Sequence, residues 1–115
     1  MESKIRKIVL QLGVPQHLKG YKYIKTAVRR VCANPDELDA VTKCLYPEVA
    51  KEHKTTPSRV ERAIRHAIEW TFSYSDPDTI IEVFGNSVYR TGKVTNSQFI
   101  AAIAEVVQEE VVCQE

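Results

Sequence analysis

The sequence predicts an all-α domain of about six or seven helices built around a helix-turn-helix. Three observations predict it. Apolar residues recur at helical spacing along most of the 115-residue chain. Breaks fall where Pro, Gly, Asn and Asp cluster, as at Gly13-Val14-Pro15, Asn34-Pro35 and Asp76-Pro77-Asp78. Between Tyr46 and Trp70 a short helix, a tight turn and a longer two-faced helix follow one another. The length suits one domain, and 43% hydrophobic with 27% charged residues suits a folded core.

The elements follow in order. Ile5, Ile8, Val9 and Leu12 lie at i, i+3, i+4 and i+7, and Gly13 stops that helix. From Gln16 to about Ala33, Leu18, Tyr21, Ile24, Ala27, Val28 and Val31 form one stripe, with Lys19, Lys22, Lys25, Arg29 and Arg30 largely off it. Pro35-Asp36-Glu37 reads as the start of a third helix carrying Leu38, Val41 and Leu45, until Pro47 breaks or kinks it. A short helix at about Tyr46–His53 follows, then a turn at Lys54-Thr55-Thr56. Pro57 opens a longer helix to about Phe72. Asp76-Pro77-Asp78 starts a helix with Ile80, Ile81, Val83 and Phe84, closed by Gly85. Asn86–Thr95 is the least helical stretch, and a small hairpin or an irregular loop both fit it. Thr95–Gln98 reads as a capping box for a last helix with Phe99, Ile100, Ile103, Val106 and Val107.

Composition narrows the function. No apolar run approaches the roughly 20 residues that span a bilayer, and the N-terminus lacks a secretory pattern, so cytoplasmic residence is expected. Cys32, Cys44 and Cys113 are odd in number and contain no C-x-x-C, against a disulfide framework or a zinc site. Cys32 and Cys44 are expected to be buried small apolar residues, and Cys113 a tail thiol. His17, His53 and His66 lie on separate elements, and no nucleophile-base pair or Gly-rich phosphate loop is present. No catalytic residue, metal or cofactor is expected. The net charge of +1 hides a basic side and an acidic end. Residues 1–30 hold eight Lys/Arg against Glu2, residues 51–66 hold five against Glu52 and Glu61, and residues 105–115 hold four Glu and no base.

In the helix-turn-helix, Ala50 is the small residue where the second helix crosses the first, and Val60 and Ile64 pack back on it. Position 54 holds Lys where such turns favour Gly. At 100° per residue, Val60, Ala63, Ile64, Ala67, Ile68, Trp70 and Thr71 cover one half of the second helix. Ser58, Arg59, Glu61, Arg62, Arg65, His66 and Glu69 cover the other, with Phe72 near its edge. Arg donates two bonds to guanine O6 and N7, Glu accepts from cytosine N4, and His bonds either way. Arg59, Glu61, Arg62, Arg65 and His66 are therefore the candidate base readers of double-stranded DNA with a G/C-containing core. Thr55, Thr56 and Ser58 are candidate phosphate donors, as are Lys54 and Lys93. The same pattern also fits an amphipathic helix with an intrahelical Glu61–Arg65 pair, docking a protein partner without reading bases.

Leu45-Tyr46-Pro47-Glu48-Val49-Ala50-Lys51 and the run Thr55–Glu69 closely resemble the C-terminal effector domain of the master sporulation response regulator of endospore-forming bacteria. Leu12-Gly13-Val14-Pro15, His17–Tyr21, Thr95-Asn96-Ser97 and Phe99-Ile100-Ala101 extend the resemblance over nearly the whole chain. The resemblance implies a transcription factor, activating and repressing genes at the onset of sporulation, that binds short asymmetric boxes with a GTCGA-like core. It implies a phosphorelay-driven receiver domain in full-length members, and no receiver fits in these residues, so the chain reads as one effector domain. The family's base-reading positions match Arg59, Glu61, Arg62, Arg65 and His66. The resemblance also implies contact with the sigma subunit of RNA polymerase through about Ser73–Gly85, with Tyr74, Asp76, Asp78 and Glu82 as candidates. Self-association on tandem boxes through the last helix would use Phe99, Ala101 and Ile103. The segment 73–85 and the loop Asn86–Val94 depart from better-known members, and Arg90 and Lys93 are candidate DNA-backbone contacts in that loop.

Overall fold

The first helix of the computed structural model, α1 (Glu2–Gln11), buries Ile5, Ile8 and Val9 on one face. The structure describes the backbone of residues 2–113 and the side chains of residues 2–109. Gly13 ends the helix at φ 84°, donating to the Leu10 carbonyl, and Ser75 Oγ donates to the Leu12 carbonyl at 2.5 Å. The central helix α2 (Lys19–Ala33) begins three residues later than the sequence predicts, because Pro15–Leu18 closes its own turn (Leu18 N–H to Pro15 O, 3.2 Å). It packs against α1, against the long helix α4 (Pro57–Tyr74) and against the last helix α7 (Asn96–Cys113). Its buried face includes Tyr21, Ile24, Ala27, Val28 and Val31 as expected, with Gly20, Tyr23 and Thr26 added on the side toward α4 and the helix-turn-helix.

Pro35–Leu45 corrects the expected third α-helix. Pro35–Ala40 is a tight 3-10 turn and Val41–Leu45 a single wide π turn, separated by the non-helical backbone of Ala40 (φ −137°, ψ 56°). Glu37 is drawn inward, where it accepts from Arg30 Nε at 3.0 Å and Nη2 at 3.2 Å. The π turn ends at Leu45 and Pro47 lies in the first turn of the next element, α3 (Tyr46–Glu52), so the boundary expected at Pro47 is present.

Beyond α4, α5 (Pro77–Phe84) is capped by Asp76, which accepts from the Asp78 N–H, and ends at Gly85 with φ 94°. The hairpin or irregular loop expected at Asn86–Thr95 is replaced in its first part by a short helix, α6 (Asn86–Thr91), closed by left-handed Gly92. Val88 and Tyr89, which suggested a strand, are half-buried on α6, and no strand occurs among the described residues. The capping box before α7 forms as predicted: Thr95 N–H donates to Gln98 Oε1 (2.9 Å) and Gln98 N–H donates to Thr95 Oγ1 (3.1 Å).

The core is continuous across the described helices, from Ile5 and Leu12 through Ile24 and Val28 to Val60, Ile64, Ile100 and Val107. Phe72, expected near the edge of the polar half of α4, instead joins Phe84 and Phe99 in an aromatic cluster with centroid distances of 5.1–6.5 Å. Trp70 is half-buried against Tyr74 (4.8 Å). The cysteine expectation is corrected as well: Cys32 is half-buried and Cys44 is exposed on the π turn, while the Cys113 side chain lies outside the described residues. Among the described residues no helix is long and apolar enough to cross a membrane, and no three His, Cys, Asp or Glu side chains group to hold a metal ion.

Candidate nucleic-acid interface

The helix-turn-helix is built from α3, a four-residue turn and α4. Val49 (0% exposed) and Ala50 (2%) form the crossing point, and Val60 and Ile64 of α4 (both 0%) pack in the same core. The turn is held by backbone bonds from His53 N–H to Val49 O (3.1 Å) and Thr55 N–H to Ala50 O (2.9 Å). Lys54 takes the left-handed conformation itself, at φ 54°. The position that such turns fill with Gly thus keeps its backbone shape with Lys, at a cost on the order of 1–2 kcal/mol. Thr56 then caps α4, its hydroxyl accepting from the Arg59 N–H at 3.3 Å, which leaves the hydroxyl proton free to be donated outward.

The two faces of α4 separate as the helical wheel predicts. Val60, Ile64, Ala67, Ile68 and Thr71 are buried, while Ser58, Arg59, Arg62, Arg65, His66 and Glu69 are exposed and Glu61 is half-exposed. Burial of the apolar face holds the helix, so the polar side chains carry no part of the core. Arg65 Nη1 pairs with Glu61 Oε1 at 2.9 Å, the intrahelical bond that the amphipathic alternative requires. Arg59 and Arg62 have no carboxylate partner among the described residues. Their guanidinium forks are open to a ligand, whereas Arg65 would have to share or exchange Glu61.

α4 stands between two grooves. On its α2 side a groove of about 550 Å³ is bounded by Lys19, Tyr23, Thr55, Arg59, Arg62 and His66. On its other side a groove of about 390 Å³ is bounded by Arg65, Glu69, Lys93 and Gln98. Lys93 thereby shares a groove with the polar face of α4, with its own N–H donating to Thr91 Oγ1 at 3.3 Å. Lys54 is exposed at the turn and Thr55 half-buried beside it, next to α2. Arg90 is exposed on α6.

The remaining candidates lie elsewhere. Tyr74 is 72% exposed at the end of α4, Asp76 is exposed at the N-cap of α5, and Asp78 and Glu82 are exposed on α5. Asp76 is also occupied as the α5 cap, accepting from the Asp78 N–H and from Thr79 Oγ1. Of the expected contact residues on α7, Phe99 and Ile103 are 0% exposed and belong to the core, where Phe99 stacks on Phe84 at 5.1 Å. Of the three, Ala101 alone is half-exposed.

Three features escape the sequence reading. Asn96 Nδ2 donates to Tyr46 Oη and to the Glu61 carbonyl, both at 3.0 Å, and so ties α7 to both helices of the motif. A bond across 35 residues leaves no local signal. Burial raises the Tyr46 phenol, against the opposing pull of the Asn96 bond. His53 joins the turn to α2, with Nε2 at 2.7 Å from Thr26 Oγ1 and its ring edge-on to Tyr23 at 5.1 Å. Gly20 is the third: a Cβ there would come within 2.3 Å of the Ala63 carbonyl, so α2 and α4 touch backbone to backbone at this point. The glycine is visible in the sequence, but its partner is not.

The family model described as "Sporulation initiation factor Spo0A C terminal" matches residues 5–107.

Proposed function

The chain belongs to the C-terminal domain family of the sporulation initiation factor Spo0A, and from that membership we propose that it recognises short boxes with a GTCGA-like core through the exposed face of α4 in the major groove. Family membership makes it a DNA-binding domain of a sporulation regulator. Arg59, Glu61, Arg62, Arg65 and His66 are the proposed base readers. The observation that carries this reading is that Arg59 and Arg62 are exposed, with no carboxylate partner among the described residues, on a helix whose other face is largely buried in the core. Arginine on a rigid helix of this kind donates in pairs to guanine, and a major groove about 12 Å wide admits one helix. Thr55, Thr56, Ser58, Lys54 and Lys93 flank those side chains and are the proposed phosphate contacts.

Two further contacts belong to the same proposal. Tyr74 at the end of α4 and Asp78 and Glu82 on α5 supply an exposed aromatic ring and exposed carboxylates, a chemistry suited to a basic surface of the polymerase sigma subunit. Neighbouring copies on tandem boxes would meet through the outer side of α7, where Ala101 and Ala102 are half-exposed. Control by a phosphorelay through a receiver domain completes the reading at the level of the full-length regulator.

A gel-shift titration tests it. Arg62→Ala should cost about 1–3 kcal/mol of binding to a GTCGA-containing duplex and much less to a scrambled one, with helix content unchanged. Arg65→Ala should show a similar loss, since Glu61 releases Arg65 when guanine replaces it. Equal affinity of the wild type and both variants for the two duplexes would refute the base-reading assignment.

A further inference from the structure

The N-terminal half of α2 is the largest unexplained concentration of charge near α4. Residues 19, 22, 23 and 26 fall within an arc of about 100° on a helix. Two of them fix where that arc points: Tyr23 meets the His53 ring at 5.1 Å and Thr26 Oγ1 lies 2.7 Å from His53 Nε2. The arc therefore faces the turn of the helix-turn-helix, and Lys19 and Lys22 border that turn on its solvent side, both exposed. Lys19 bounds the same groove as Arg59 and Arg62. The Lys22 ammonium lies 5.7 Å from the Tyr23 ring centroid.

The two ends of α2 differ in charge balance. Arg29 is paired with Glu52 and, at 3.8 Å, with Glu2; Arg30 is paired with Glu37 at 3.0 Å and Glu48 at 3.5 Å. Lys19 and Lys22 have no carboxylate within 4 Å among the described residues. One end of the helix is neutralised by the protein itself, and the other end stays positive beside the proposed reading face.

The geometry points to Lys19 and Lys22 as a sequence-independent clamp on the phosphodiester backbone of one DNA strand, the strand that borders the major groove on the α2 side of α4. The inference rests on the base-reading proposal for α4 and extends it to a second element. A helix lying in the major groove has a sugar-phosphate strand on each flank, and α4 has a groove with a lysine on each flank, Lys93 on one and Lys19 on the other. The lysines carry point charge without the fork that guanine selects, so they neutralise phosphate and discriminate no base.

The test is a salt titration of binding by the whole chain to a GTCGA-containing duplex and to a scrambled duplex. Lys19→Gln with Lys22→Gln should weaken both complexes by the same factor, roughly tenfold, and reduce the slope of log affinity against log salt by about two. Lys19→Arg with Lys22→Arg should keep the wild-type slope. Both side chains are exposed, so circular dichroism should show unchanged helix content. Unchanged affinity and slope in the double Gln variant would overturn the clamp, and so would a loss confined to the GTCGA duplex. If Arg62→Ala leaves specificity intact while the Gln pair still weakens both complexes, the base-reading assignment fails and the clamp stands.

Discussion

His53 is the residue where burial and surrounding charge act on one imidazole. Burial lowers its pKa from the ordinary 6.5, Lys22, Arg29 and Lys25 push it further down, and Glu52 pulls it back. The native state thus holds the ring neutral, while the unfolded chain protonates it as the pH drops below about 6.5. Stability from this group is complete above that value and is lost as the pH falls through the lowered native pKa. The melting temperature of His53→Gln should therefore approach that of the wild type as the pH is taken from 7.5 toward about 5. A difference between the two that stays constant with pH would contradict the assignment. At this scale the sequence is legible where chemistry is local. Arg59, Arg62 and His66 stand exposed where a count of 100° per residue puts them, and Thr95 and Gln98 cap each other as their spacing predicts. It is illegible where the partner is remote, as with the His53–Thr26 contact, and where burial depends on the path of the backbone, as with exposed Cys44.

At the scale of elements, α4 is positioned by its crossing with α2. A Cβ on Gly20 would lie 2.3 Å from the Ala63 carbonyl and 2.7 Å from Ala67 Cβ, and neither obstacle is the end of a flexible side chain. Gly20→Ala must therefore push the two helices apart. The expected cost is about 1–3 kcal/mol in urea unfolding, in the range of other overpacked cores. Full stability in that variant would show that the helices have slack at the crossing. The long helices were legible because their apolar stripes repeat over three or more turns. The short α3 and α5 were legible as well, but two other short segments were not. Asn86–Thr91 has one turn and a half, too little for periodicity to outweigh its Val-Tyr pair and flanking Gly. Pro35–Leu45 has helical spacing, yet the inward turn of Glu37 to Arg30 and the break at Ala40 divide it.

For the molecule as a whole, a net charge of +1 conceals an ordered division. Two bases on the far end of α2, Arg29 and Arg30, are cancelled by Glu2, Glu37, Glu48 and Glu52, while among the described residues Arg59, Arg62, Lys19 and Lys22 around α4 have no carboxylate partner. The excess of eight bases over one acid in residues 1–30 is visible in the sequence, but which of those bases are spent internally is a property of the fold. The candidate site was legible to the same degree: its α4 residues follow from one helix, and its flanking walls follow only from how α2 and the segment before α7 pack beside it. Base reading by the exposed face of α4 is the proposal on which the other DNA contacts depend. Selection of bound duplexes from a random pool tests it most directly. The wild type should enrich a G/C-containing, GTCGA-like core, and Arg62→Ala should relax one or more of its positions. A bound pool with no enriched sequence, or one that Arg62→Ala leaves unchanged, would contradict it.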